Sequence, residues 1–244
     1  MGARRRIIEI SLIVFGVIVS IAIALTIDWM ISCEERASPS PAGQLQVKED
    51  GDGFPFVDWA YWESVNPDIV AWVTVPDTNI DHPIVQAKSS DPTYYLSHDI
   101  YRKFNPMGVP YLDSECAEGM DSPNALVFGH HWNESQIFAD FSKFINKKYA
   151  EDHQPILLQT PKWKRKMKTL SVELTNGDAL TKVVQFDGPD DFKAWLLERY
   201  NASETRFAGR LSSERLPENI VTFCTCSYGQ NNERTLVYTS KSPE

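Results

Sequence analysis

Positive charge is scarce in this chain: 24 lysines and arginines stand against 33 aspartates and glutamates, a formal net charge of -9 at pH 7. That balance excludes a general nucleic-acid binder, which needs a basic footprint to displace counterions from phosphates. Cysteine is also sparse. Cys33, Cys116, Cys224 and Cys226 are too few and too unevenly spaced for a disulfide framework, which leaves room for a free thiol. Histidine is limited to five residues, and the doublet His130-His131 has no third ligand at a recognisable spacing, so no metal site is expected. No internal repeat is present.

Long apolar runs are equally rare, with one exception. Residues 7–27, IIEISLIVFGVIVSIAIALTI, carry a single charge, Glu9. At about 1.5 Å rise per residue they span roughly 30 Å, enough to cross a bilayer. Arg4, Arg5 and Arg6 precede the run and Asp28, Glu34 and Glu35 follow it. The positive-inside rule then places residues 1–6 in the cytoplasm as a basic tail and everything after the single pass outside the cell membrane. A cleaved or lipidated leader ending near Cys33 is the competing reading, but the apolar run is longer than a usual signal-peptide core. Residues 28–53, rich in Ser, Pro, Gly and charge, read as a flexible extracytoplasmic stalk. A domain then occupies 54–244.

The 42% hydrophobic content is ample for a packed core in a domain of that size. The spacing of Val57, Ala60, Tyr61 and Val65 predicts an opening helix. Eight short apolar runs then predict strands: IVAWVTV, HPIVQ, GVPYLD, NALVFGH, PILLQT, KMKTLSVELT, NIVTFCTC and RTLVYTSK. Turn chemistry in PDTN, TNGD and GQNN separates several of them. Two further helices are expected, from Ser135 (SQIFADFSKFINKKYA) and from Pro189 (PDDFKAWLLERY). Eight strands with helices lying outside suggest a mainly β fold, a closed barrel or a sandwich, since closure is how a sheet of that size removes its edges.

The chemistry gathers near the C-terminus, in IVTFCTCSYGQNNERTLVY. Strand alternation puts Thr222, Cys224 and Cys226 on one face, with Phe223 and Thr225 on the other. Cys224 lies inside the apolar run, whereas Cys226 stands where the strand gives way to a polar loop. A reactive thiol needs access and a polarised environment, so Cys226 is the better nucleophile candidate. A hairpin through Gly229, Asn231 and Asn232 returns Arg234 beside it. There a guanidinium could lower the thiol pKa or hold the oxyanion formed by attack on a carbonyl. Acyl transfer also needs a proton acceptor and donor. His130 suits this best, because it ends the apolar strand NALVF just after Gly129, at the mouth of a loop.

TFCTC followed eight residues later by Arg234, with NALVFGHH and IFADFSKF upstream, resembles the TLxTC signature and YGH region of the sortases, class B above all. VNPDIVAWVTVPDTNIDHPIVQAKSSDPTYYLSHD and GVPYLDSE look like that class's N-terminal helix and first strands. The resemblance implies a sortase-like closed eight-stranded barrel with peripheral helices behind the anchor. It implies Cys226 as nucleophile, His130 as general acid and base, and Arg234 as stabiliser of oxyanion and substrate. Thr225, Leu96 and Cys224 would line the groove. Phe223 departs from the usual leucine, and Cys224 fills the variable position.

The implied activity is transpeptidation: cleavage of an exported protein's C-terminal sorting motif after threonine through a thioester. Transfer follows to an amine of a peptidoglycan precursor or a pilin, with no cofactor. A thiol hydrolase using water, or a silent cell-wall binding module of the same fold, are the alternatives.

Overall fold

A computed structural model describes residues 2–37, 51–132, 136–178, 182–207, 211, 216–227 and 232–242. Most of the expected stalk, and residues 228–231 of the expected hairpin loop, lie outside these. Helix α1 (Gly2–Ala37) forms a unit of its own, and its span from Ile8 to Arg36 is long and apolar enough to cross a membrane. The helix thus continues ten residues past Ile27, where the apolar run ends.

The second unit holds helices α2 (Trp59–Val65), α3 (Ala139–Ser142), α4 (Lys147–Asp152) and α5 (Pro189–Ala202). Its strands are β1 (Ile69–Thr74), β2 (Asp81–Gln86), β3 (Tyr111–Leu112), β4 (Asn124–Phe128), the small hairpin β5 (His131–Trp132) and β6 (Gln136–Ile137), β7 (Ile156–Gln159), β8 (Lys164–Asn176), β9 (Thr205–Arg206), β10 (Ile220–Ser227) and β11 (Glu233–Lys241). Eight of them run β11-β10-β4-β3-β2-β1-β7-β8, and β8 pairs back onto β11 to close a barrel. The eight apolar runs expected to be strands are these eight. Short β9 adds to β8 outside the closure, at Ser171 and Val172. Two of the barrel pairings are parallel, β10 with β4 and β2 with β3.

The barrel is filled by packed side chains, and the polar atoms of its central tryptophan and aspartate are met. Trp72 is fully buried, and its indole N–H donates to Asp81 Oδ1 at 2.8 Å, which also accepts from Thr74 Oγ1 at 2.9 Å. Trp62 of α2 packs on it with ring centroids 5.4 Å apart. Asp58 caps α2 by accepting from Tyr61 N, so Val57 lies before the helix rather than in it. The inward stripe is therefore buried Trp62 with Trp59 and Val65 partly buried beside it; Ala60 and Tyr61, expected on that stripe, are exposed.

The helix expected from Ser135 is a second correction. Strand β6, α3, a 3-10 turn at Lys143–Ile145 and α4 replace one continuous helix. Phe138, Phe141 and Phe144 are all fully buried and recur every three residues. That period fits 3-10 geometry, whereas an α-helix with 3.6 residues per turn would rotate them off a common line. Asn146 then caps a fresh helix by accepting from Tyr149 N. The helix expected from Pro189 forms as α5, with proline in its first turn.

His82 in β2 is fully buried beside Phe138, and its Nε2 donates to the carbonyl of Ile137 at 3.0 Å. Burial pushes its pKa down to about 4 from the ordinary 6.5. The unfolded chain binds this proton more readily than the folded one. The contribution to stability is therefore intact above pH 6.5 and drains as pH falls towards 4, by roughly 3 kcal/mol in all. Urea unfolding followed across that window should lose stability as pH falls. The slope should flatten in His82→Gln, whose side-chain amide does not titrate.

Candidate active site

Strand β10 lies between β4 and β11, and its two ladders set the site. The antiparallel register with β11 pairs Cys226 with Arg234 and Cys224 with Leu236. Arg234 in turn pairs with Thr175 of β8, and Leu236 with Glu173. The parallel register with β4 sets Cys224 beside Phe128, and Gly129 N donates to the carbonyl of Cys224 at 3.0 Å. One face of the barrel thus carries Tyr111, Phe128, Cys224, Leu236 and Glu173 in a row. Cys226, Arg234 and Thr175 form the next, because alternate residues of paired strands share a face. His130 follows Gly129, two residues beyond the end of β4.

The two thiols differ by burial. Cys224 is 2% exposed, and burial pushes it up to about 12 although Arg234 pulls the other way. Cys116 is likewise buried, and burial pushes it up to about 11. Cys226, at the strand end, is partly exposed. Tyr111, partly exposed and stacked on Phe128 with centroids 5.4 Å apart, lies close enough to feel both thiols; burial pushes its phenol up to about 12.

His130 Nε2 donates to the carbonyl of Leu96 at 2.8 Å, since a carbonyl can only accept; Nδ1 is then the ring atom left for proton exchange. Leu96 closes a 3-10 turn, Tyr94–Leu96, with its side chain 43% exposed. The bond ties that turn to the end of β4. Gly129 is needed just before His130 because a Cβ there would sit 2.3 Å from a ring carbon of Phe138. Arg234 has a similar requirement. A Cβ on Gly177 would lie 3.1 Å from its Cζ and 2.8 Å from Asn232 Oδ1. Arg234 Nη1 meanwhile donates to the carbonyl of Glu233 at 3.1 Å.

Thr225 points away from this face, 2% exposed, directly across from Thr235. The structure thus brings Cys226 and Arg234 together, sets His130 and Leu96 at the neighbouring strand end, buries Cys224 beneath Cys226, and turns the Thr225 side chain to the opposite face. Sequence reasoning missed three residues here: Tyr111, Gly177 and His131. The ring of His131 reaches β10, with Nδ1 donating to the carbonyl of Cys226 at 2.8 Å. The doubled histidine was its one visible signal.

No family model matches the chain. A curated sortase B of Listeria monocytogenes is 25% identical over 172 residues, covering 70% of this chain and 68% of that protein. A sortase B of Staphylococcus aureus is 22% identical over 180 residues, covering 72% and 70%. Among solved structures, Clostridium perfringens sortase B is 27% identical with a TM-score of 0.68, over 75% of this chain and 99% of that one. The chain belongs to the class B sortase family. It is a sortase-type cysteine transpeptidase with the closed eight-stranded barrel of those structures.

Two outcomes follow for this class B sortase. Timed alkylation at neutral pH with mass-spectrometric mapping should modify Cys226 well before Cys116 and Cys224, because the thiolate is the reactive form and burial suppresses it in the other two. Gly177→Ala should displace Arg234 by a few tenths of an ångström and slow acylation of Cys226 roughly tenfold, with the unfolding midpoint nearly unchanged.

Proposed function

We propose that Cys226, His130 and Arg234 form the catalytic set, and that the chain, anchored through residues 7–27, joins exported proteins to an amine at the outer face of the membrane. The direct cross-strand pairing of Cys226 with Arg234, beside the strand end that carries His130, is the observation that carries this reading. Cys226 gives its thiol proton to His130, and attack of its Sγ on the carbonyl of the sorting-motif threonine forms the C–S bond and puts a negative charge on the carbonyl oxygen. The guanidinium of Arg234 donates to that oxygen. As the tetrahedral species collapses, the C–N bond breaks and His130 protonates the departing amine. The result is a thioester.

In the second half an incoming amine attacks the thioester carbonyl and gives its proton to His130. A new amide bond forms as the C–S bond breaks, and the proton returns to the thiol. The acceptor is an amine of a peptidoglycan precursor or of a pilin. Leu96 borders the groove, Cys224 lies buried beneath it, and Thr225 turns its side chain to the other face. Three arginines before the apolar helix and acidic residues after it support a cytoplasmic N-terminus and an extracellular catalytic domain. Tethering then raises the effective concentration of membrane-borne substrate and acceptor.

Incubation of the full chain in detergent with sorting-motif peptides, with and without an amine, tests this. Acyl-enzyme should accumulate on Cys226 and resolve to the amide when amine is added; Cys226→Ala should give neither. Arg234→Lys should retain about a hundredth of the rate or less, because a point charge lacks the planar fork that meets an oxyanion. Peptide cleavage without amide product would make the chain a hydrolase. No turnover by intact Cys226 across a broad peptide set would make it a silent wall-binding module.

A further inference from the structure

Five of the seven residues 162–168, KWKRKMK, are basic in a chain whose formal net charge is -9. Strand β8 takes up most of this run and sorts it by face. Met167 is buried on one face, where Arg165 pairs with Asp121 at 2.9 Å; Lys164, Lys166 and Lys168 alternate on the other and are exposed. Lysine on a strand ordinarily guards an open edge. Here Lys166 pairs with Leu157 of β7 while its carbonyl accepts from Ser242 N at 2.8 Å, and Lys168 pairs with Ser240 of β11. The lysines therefore stand on a sheet face closed into the barrel.

The segment that enters the domain from the anchor side is strapped to this same face. Asp52 Oδ2 accepts from Lys164 Nζ at 3.0 Å, and that ammonium lies 5.6 Å from the ring centre of buried Phe54. Gln159, the cross-strand partner of Lys164, donates from Nε2 to the carbonyl of Pro55 at 2.9 Å. A Cβ on Gly53 would lie 3.8 Å from Lys166 Nζ. Asp52 offsets one charge of the face. Lys162, Lys166 and Lys168 have no carboxylate partner among the described residues. Trp163, in the turn between β7 and β8, has the Arg165 guanidinium 3.8 Å over its ring.

We propose that this lysine face is a docking surface for anionic phospholipid headgroups of the membrane that holds the anchor. The proposal rests on the reading of residues 7–27 as that anchor. Only residues 38–50 separate the end of helix α1 from the strapped segment, at most about 45 Å of extended chain. The lysines thus meet lipid at the high local concentration that a tether supplies. Their stems stay on the barrel while the ammonium groups reach the phosphates, each raising the docked population about fivefold. Docking also sets a height for the chemistry. Thr175, in the row of Cys226, is nine residues along β8 from Lys166, so the nucleophile stands up to roughly 30 Å from the headgroups.

The test uses the full chain in nanodiscs of phosphatidylcholine alone or of phosphatidylcholine and phosphatidylglycerol at 7:3, with reductive methylation of lysines mapped by mass spectrometry. Against Lys88, just beyond β2, methylation of Lys162, Lys166 and Lys168 should slow at least threefold in the anionic discs at low ionic strength. The protection should vanish at 1 M salt, where screening acts within about 3 Å. In Lys166→Gln/Lys168→Gln that of Lys162 should vanish too, while acylation of Cys226 by soluble peptide in detergent stays at the wild-type rate. Equal methylation in both discs, or protection that survives 1 M salt, would overturn the proposal. So would protection by soluble poly(glycerol phosphate) in neutral discs with none from the anionic lipid, which would make the face a polymer site. Retention in neutral discs through 1 M salt reports the anchor separately. If the chain is lost from them the anchor reading fails, and cosedimentation with 7:3 vesicles then decides the face: binding that the double variant lacks keeps it, and no binding sinks it.

Discussion

The register of β10 is the constraint on which the site depends. A slip of one residue would turn Cys226 and Cys224 to the opposite face and bring Thr225 and Phe223 out in their place. Contacts on both faces resist that slip. Phe223 is fully buried, stacked on Phe141 with centroids 4.6 Å apart and edge-on to Phe138 at 5.8 Å. Thr222 Oγ1, on the other face, donates to Asn124 Oδ1 at 2.7 Å, and Asn124 Nδ2 donates to the carbonyl of Val183. Phe223 thereby fills the space beside Phe138 and Phe141.

With register fixed, a gradient of burial along one strand sorts two chemically identical thiols. Cys224 is sealed under its neighbours, and its charged form is disfavoured even with a guanidinium near. Two residues on, near the end of β10, Cys226 is partly exposed. The same strand end is gripped from the side by His131 and from across the ladder by the Arg234 strand. Reactivity here comes from position along the strand more than from any local sequence preference.

Two glycines show how far this arrangement reaches. Gly129 and Gly177 are both free of left-handed backbone geometry, and each is required by close approach instead: an aromatic ring against Gly129, a guanidinium and an amide against Gly177. Both flank catalytic candidates, and both come from strands that neighbour β10 or β11. Neither constraint could be read from the chain, because the approaching groups come from distant sequence.

The sequence by itself determined the eight barrel strands, the apolar span, and the pairing of a strand-end cysteine with a returning arginine. All of these follow from periodicity and turn chemistry, which act over a few residues. Tertiary structure decided what depends on distant partners. It broke the helix expected from Ser135 into shorter turns, because three phenylalanines had to reach one buried line. It shifted the inward stripe of α2 to Trp62, flanked by Trp59 and Val65, because Trp62 packs on Trp72. It also brought His131 to the Cys226 carbonyl across 95 residues of sequence. Only closure of the barrel, β8 onto β11, set Thr175 in the row of Cys226 and Arg234 and Glu173 in the row of Cys224.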